Sequence, residues 1–128
     1  MRYLSQFACG MSLALVCSAV VGADQYGLTA GKPDLQSIGS LAFGPDGILF
    51  AGDSKGGAIF ALKTGDTTGD ATKATYDVAG LNVKIAQALG TDSQQVRIGD
   101  IAVNPATGNV FVSVTASGQP ALVRVSGG

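Results

Sequence analysis

Acid–base or ligand chemistry in this sequence would rest mainly on carboxylates, hydroxyls and amides. Its nine acidic residues are all aspartates, and it contains no His, Glu or Trp. Without His, neither a Ser-His-Asp nor a Cys-His pair can be assembled within the chain. The two cysteines, Cys9 and Cys17, both lie near the N-terminus. The common zinc and copper ligands are therefore missing beyond that point, and a bound metal would have to be a hard cation such as calcium, held by Asp, Asn and carbonyl oxygens. Asp100 is the foremost candidate, because it opens the apolar run Ile101-Ala102-Val103, where its carboxylate could face a ligand or cation. The competing role is a hydrogen bond to backbone at the start of a strand. Ser40 occupies the matching place before Leu41-Ala42-Phe43. Asp53, in Gly52-Asp53-Ser54, could be a loop ligand or an Asx-turn residue.

Other polar groups read as structural. Asp66-Thr67-Thr68-Gly69-Asp70 has no recognised calcium-loop spacing, and Asp77 lies further off, so a solvated turn is expected there. Gly56-Gly57 has no following helix to cradle a phosphate. Arg97 and Arg124 are expected to face solvent with buried stems.

These residues need elements to position them. Met1 to Gln6 carries Arg2, Phe7 to Val21 is apolar and uncharged, and Val21-Gly22-Ala23 presents small residues. This order describes a helical signal peptide at residues 1–23, cleaved after Ala23, and hence export to a periplasm or the extracellular space. The apolar run is about 15 residues, short of the roughly 20 that span a bilayer. Cleavage would remove both cysteines and leave seven basic residues against nine aspartates. No basic tract suggests nucleic acid, and no cationic amphipathic helix suggests a membrane surface.

Residues 24–36 read as an extended lead-in. Two similar units follow. In the first (38–65), Ile38 to Phe43 is a strand, Gly44-Pro45-Asp46-Gly47 a turn, Ile48 to Ala51 a second strand, and Ala58 to Leu62 a third. In the second (98–128), Ile98 to Val103, Asn104 to Gly108, Val110 to Val114 and Ala121 to Val125 repeat that order. Ile38, Gly39, Ala42 and Pro45 recur as Ile98, Gly99, Ala102 and Pro105. Phe50, Ala58 and Gly65 recur as Phe111, Ala121 and Gly128. The offset is about 60 residues, the mark of a repeat architecture. Between the units, residues 66–97 form an insertion. Ala74 to Val78 could be a fourth strand of the first unit. Asn82 could cap a helix over Val83 to Leu89 that ends at Gly90, with Ile85, Ala86 and Leu89 on one face. Thr91-Asp92-Ser93-Gln94 resembles a capping box that starts one more turn.

Ile38 to Ala51, and again Ile98 to Val112, resembles the blade signature of the NHL-repeat and gluconolactonase-like β-propellers. The resemblance implies a mainly β fold: a partial propeller of about two antiparallel blades (37–128) with a short helix between them. Gluconolactonase-like proteins are metal-dependent hydrolases, with metal-binding asparagines just before the apolar part of the channel strand. The matching residues here are Gly39 and Gly99, so the family's ligand type is absent at both, and Asp100 alone stands nearby. Propellers close with 4 to 8 blades, so two blades imply the N-terminal piece of a longer protein or a short chain that closes by self-association. The expected function is an exported binding or interaction module for a small molecule or protein. The alternative is a fragment of a metal-dependent, lactonase-like hydrolase.

Overall fold

A computed structural model of the chain describes residues 26–125, together with the backbone of three short extended segments, Arg2–Leu4, Gln6–Phe7 and Leu15–Val16. Where the leader is described it is extended rather than helical as expected; its other residues and the cleavage position after Ala23 lie outside the described residues. The fold is mainly β: two three-stranded antiparallel sheets and one short α-helix, with the Ala58–Lys63 edge of the first sheet extended by parallel pairing to Arg2–Leu4, which pairs in turn with Thr29–Ala30. Sheet A holds β1 (Leu41–Phe43), β2 (Ile48–Asp53) and β3 (Ala58–Lys63), joined as consecutive hairpins. Sheet B holds β4 (Val96–Val103), β5 (Val110–Ala116) and β6 (Gln119–Val125), with the same connectivity. The helix α1 (Leu81–Leu89) lies between them in sequence. Among the described residues no helix is long and apolar enough to cross a membrane.

Strand register decides which side chains meet. Leu41 and Phe43 of β1 stand opposite Ala51 and Leu49 of β2, which stand opposite Phe60 and Leu62 of β3. These residues share one face of sheet A, because side chains along a strand alternate between faces. In sheet B, Ala102 stands opposite Phe111, and Phe111 opposite Arg124, while Leu122 pairs with Ser113 two residues along the same face. The two faces close on each other in one core of Ile38, Leu49, Ala51, Phe60, Leu62, Phe111 and Leu122. Phe43 meets Phe111 edge-on, with ring centroids 5.2 Å apart. Fully burying one such side chain contributes about 1.5–3 kcal/mol, so this seam is a principal source of stability.

The opposite face of sheet B has a second core. Val110, Val112, Val114, Val123 and Val125 pack under Ile85 of α1, flanked by Tyr76, Val78 and Leu81. The molecule therefore has three layers, sheet A on sheet B on helix. Ala74–Val78 is not a fourth strand of the first unit. Tyr76 and Val78 turn away to pack on sheet B, where the Tyr76 hydroxyl donates to the Gly108 carbonyl at 2.7 Å.

The helix also begins earlier than its sequence suggests. Gly80, in the left-handed region at φ 64°, is the N-cap, and Asn82 lies inside the first turn rather than capping it. Gly90 ends the helix at φ 71°, as a C-terminal glycine does. Ile85 and Ala86 are buried, but Leu89 is exposed and does not share their packed face. The following turn, Ser93–Gln95, is capped by Asp92, whose carboxylate accepts from the Gln94 N–H at 2.8 Å, not by Thr91.

The two units share a backbone irregularity. In β4, Gly99 is a bulge: the register shifts between Ile98 and Asp100. In the first unit, the Gly39 N–H donates to the Gly52 carbonyl and the Gly52 N–H donates to the Ser40 carbonyl, so two residues again oppose one. The bulge sets Ile98, Ile101 and Val103 on a single face although their spacing is uneven.

Candidate functional site

The residues singled out by sequence are not gathered in one place. Ser40 and Asp53 both line an open groove of about 690 Å³ at one end of sheet A, with Gly39, Gly52, Ser54 and Ile59. Asp100 lies at the seam between the sheets instead.

Asp53 is almost fully buried and is engaged by the lead-in. Its carboxylate accepts from the Gln36 N–H at 2.8 Å, the Ser37 N–H at 2.9 Å, the Ser37 hydroxyl at 2.7 Å and the Gly56 N–H at 2.8 Å. Burial pushes its pKa up, but these four donors, led by the Gly56 N–H, outweigh it and hold the carboxyl at about 2. Gly56 is required here, since a Cβ on it would lie 2.5 Å from the Asp53 carboxylate. Asp53 thus ties residues 36–37 and the β2–β3 hairpin together. It contributes a wall to the groove rather than an open carboxylate.

Asp100 couples the two units. Its Oδ2 accepts from the Leu41 N–H at 2.9 Å and its Oδ1 from the Ile101 N–H at 2.8 Å. These bonds, the Leu41 one foremost, hold its pKa below the ordinary carboxylate value against the opposing effect of burial. Its own N–H donates to the Ser113 hydroxyl at 2.8 Å, and that hydroxyl donates to the Gly39 carbonyl at 2.8 Å.

This donor set does not suit a divalent cation. Both Asp100 oxygens face N–H donors, and the neighbouring Gly39 and Gly99 offer no side-chain ligand. Among the described residues no three His, Cys, Asp or Glu side chains gather closely enough to hold a metal ion.

A second heavily engaged carboxylate belongs to Asp66, which the sequence marks as a solvated turn. It is 3 % exposed. Its side chain accepts from Asn104 Nδ2 at 2.9 Å, the Thr107 hydroxyl at 2.6 Å and Asn109 Nδ2 at 2.8 Å. Arg124 approaches to 3.7 Å. Arg124 is accordingly mostly buried rather than solvent-facing, and burial lowers its pKa. The Asp66 loop thereby clamps the second unit's turn onto the end of the first. The sequence did carry one signal for this: the second turn, Asn104 to Asn109, is rich in side-chain donors where the first has Gly44-Pro45-Asp46-Gly47. A smaller groove of about 250 Å³, lined by Asp70, Lys73, Tyr76, Thr107 and Asn109 among others, lies beside the clamp.

No protein-family model, curated protein or solved structure was found to match the chain.

Proposed function

We propose that the chain is an exported binding module of propeller-like build, and that it binds a neutral, hydroxyl-bearing small molecule in the groove of sheet A. The observation that supports this reading is the lining of that groove. Two serines, Ser40 and Ser54, offer hydroxyls that both donate and accept. Gly39, Gly52 and Gly57 expose backbone without side chains, and Ile59, 67 % exposed, offers a hydrocarbon surface. The charge of Asp53 is already met by four internal donors. Such a lining suits a ligand with polar groups on one side and hydrocarbon on the other.

The repeated bulge and the seating of the second unit on the first support the propeller-like build. The leader composition supports export. The metal-dependent hydrolase reading draws no support from Asp100, whose oxygens are both engaged, so no reaction is proposed.

The test is titration of the isotopically labelled protein with mono- and disaccharides, followed by amide chemical shifts. Saturable shifts clustered at Gly39, Ser40, Gly52, Ser54 and Ile59, lost in Ser40→Val, are expected. Shifts scattered over the surface, or none, would sink the small-ligand reading.

A further inference from the structure

Two apolar surfaces of the described residues face solvent, and the internal repeat relates them. The first is the outward face of sheet A, where Ala42, Phe50, Ile59 and Ala61 stand together by register. Phe50 and Ile59 are exposed. The second is a stripe on β4, where Ile98, Ile101 and Val103 are all exposed.

Superposing the units in sequence pairs each surface with one that is already covered. Ala42, Phe50 and Ile59 correspond to Ala102, Phe111 and Leu122, which are seated on sheet A inside the molecule. Ile98, Ile101 and Val103 correspond to Ile38, Leu41 and Phe43, which belong to the surface that receives them. The chain thus holds one copy of an interface in its interior and the two complementary halves of a second copy on its outside.

We infer that a second copy of this chain docks head to tail, its Phe50–Ile59 face on the Ile98–Ile101–Val103 stripe. The complementarity of the two halves decides against a two-fold arrangement. Packing Phe50 faces on each other would leave the β4 stripe of both copies in water. The helix limits the contact. Val110, Val112, Val123 and Val125, counterparts of Leu49, Ala51, Phe60 and Leu62, lie beneath α1. Only the β4 side of the receiving face is open, so the contact between copies is narrower than the internal seam and weaker than it. A head-to-tail interface uses different surfaces on each partner and propagates into rings or open chains. The inference rests on the repeat rather than on the ligand proposed for the groove; docking would cover Ile59, which also lines that groove.

The test uses two variants of exposed positions in the whole chain. Ile59→Asp spoils the docking face and leaves the stripe intact. Ile101→Asp with Val103→Asp spoils the stripe and leaves the face intact. Sedimentation of the unaltered protein should show a mass that rises with concentration. Each variant alone should sediment as a monomer while keeping the far-UV circular dichroism of the unaltered protein. An equal mixture of the two should form a dimer and stop there, because one intact face meets one intact stripe. An unaltered protein that stays monomeric at all concentrations overturns the inference. So does a stripe variant that still dimerises alone, or a mixture of folded variants that yields only monomers.

Discussion

The side chain of Asn104 closes on Asp66 twice, donating from Nδ2 to its carbonyl oxygen at 2.7 Å and to its carboxylate at 2.9 Å. One residue follows the last strand of sheet A and the other opens the first turn of sheet B. The pair therefore joins the units through polar groups, beside the apolar seam of Phe43 and Phe111. Both residues are buried. A buried polar network of this kind is stable when every member has its partner and costly when one is removed.

Asp66→Ala should be among the most damaging single substitutions. It would leave the Asn104, Thr107 and Asn109 donors without their acceptor, and an unsatisfied buried group costs about 1–3 kcal/mol. A loss of about 3 kcal/mol or more is expected in urea unfolding. A change below about 1 kcal/mol would show that water replaces the carboxylate at little cost.

Acid should weaken the attachment of the lead-in. The Asp53 carboxyl is held at about 2 in the folded chain, against about 3.9 in an unfolded one. Its pKa is depressed by folding, so its contribution is complete above about pH 4 and drains away as pH falls through about 2. Asp70 and Asp100 are lowered as well and act in the same direction. Asp53→Asn should therefore flatten, without abolishing, the fall in urea midpoint between pH 5 and pH 2. An unchanged slope in the variant would refute the assignment.

Gly47 permits the first turn to close. It sits at φ 72°, and a Cβ there would lie 2.9 Å from the Asp66 carbonyl oxygen. The left-handed conformation alone costs a residue with a Cβ about 1–2 kcal/mol, and the close contact adds to it. Gly47→Ala should lower the thermal midpoint by several degrees, whereas Gly57→Ala, which meets nothing within 4 Å, should carry only the conformational cost. Equal shifts in the two variants would remove the contact from the account.

Ile85 is fully buried where α1 meets the valines of sheet B. Ile85→Ala should cost about 2–5 kcal/mol, the usual range for such a truncation. It should also speed amide exchange in β5 and β6 more than in β2 and β3, since the helix covers sheet B alone. Uniform exchange across both sheets would show that the helix and sheets unfold as one unit.

Ser113 bridges the units through one hydroxyl, accepting from the Asp100 N–H and donating to the Gly39 carbonyl. Ser113→Ala is expected to cost about 1–3 kcal/mol, because both partners lose their bond in a buried setting. Ser113→Thr keeps the hydroxyl but adds a methyl at a fully buried position, where overpacking is itself destabilising. Unfolding by urea should thus rank both variants below the original, and a neutral Ser113→Ala would show that the bridge carries no weight.

Much of this architecture was legible in the residues themselves. The apolar runs, the proline–glycine turns and the repeat of Ile38 to Ala51 in Ile98 to Val112 determine two hairpin-built units, because strand formation and turn chemistry are local. Gly90 marks the helix end for the same reason. Which face of each strand is covered is not local. Phe50 and Phe111 occupy matching places in their units, yet only Phe111 is buried, because only the second unit finds a sheet to sit on. Asp66 resembles any turn aspartate until Asn104, Thr107 and Asn109, some 40 residues later, converge on it. The Ala74–Val78 segment has a strand's composition and adopts none; Tyr76 and Val78 cross to pack on sheet B instead. Asp53 and Asp100 drew notice as chemical groups, and the fold employs both as acceptors for its own backbone. Sequence alone determined the units and their turns. The tertiary structure decided which surfaces they bury, which carboxylates they consume and which apolar faces they leave exposed, because those outcomes depend on contacts between residues far apart in the chain.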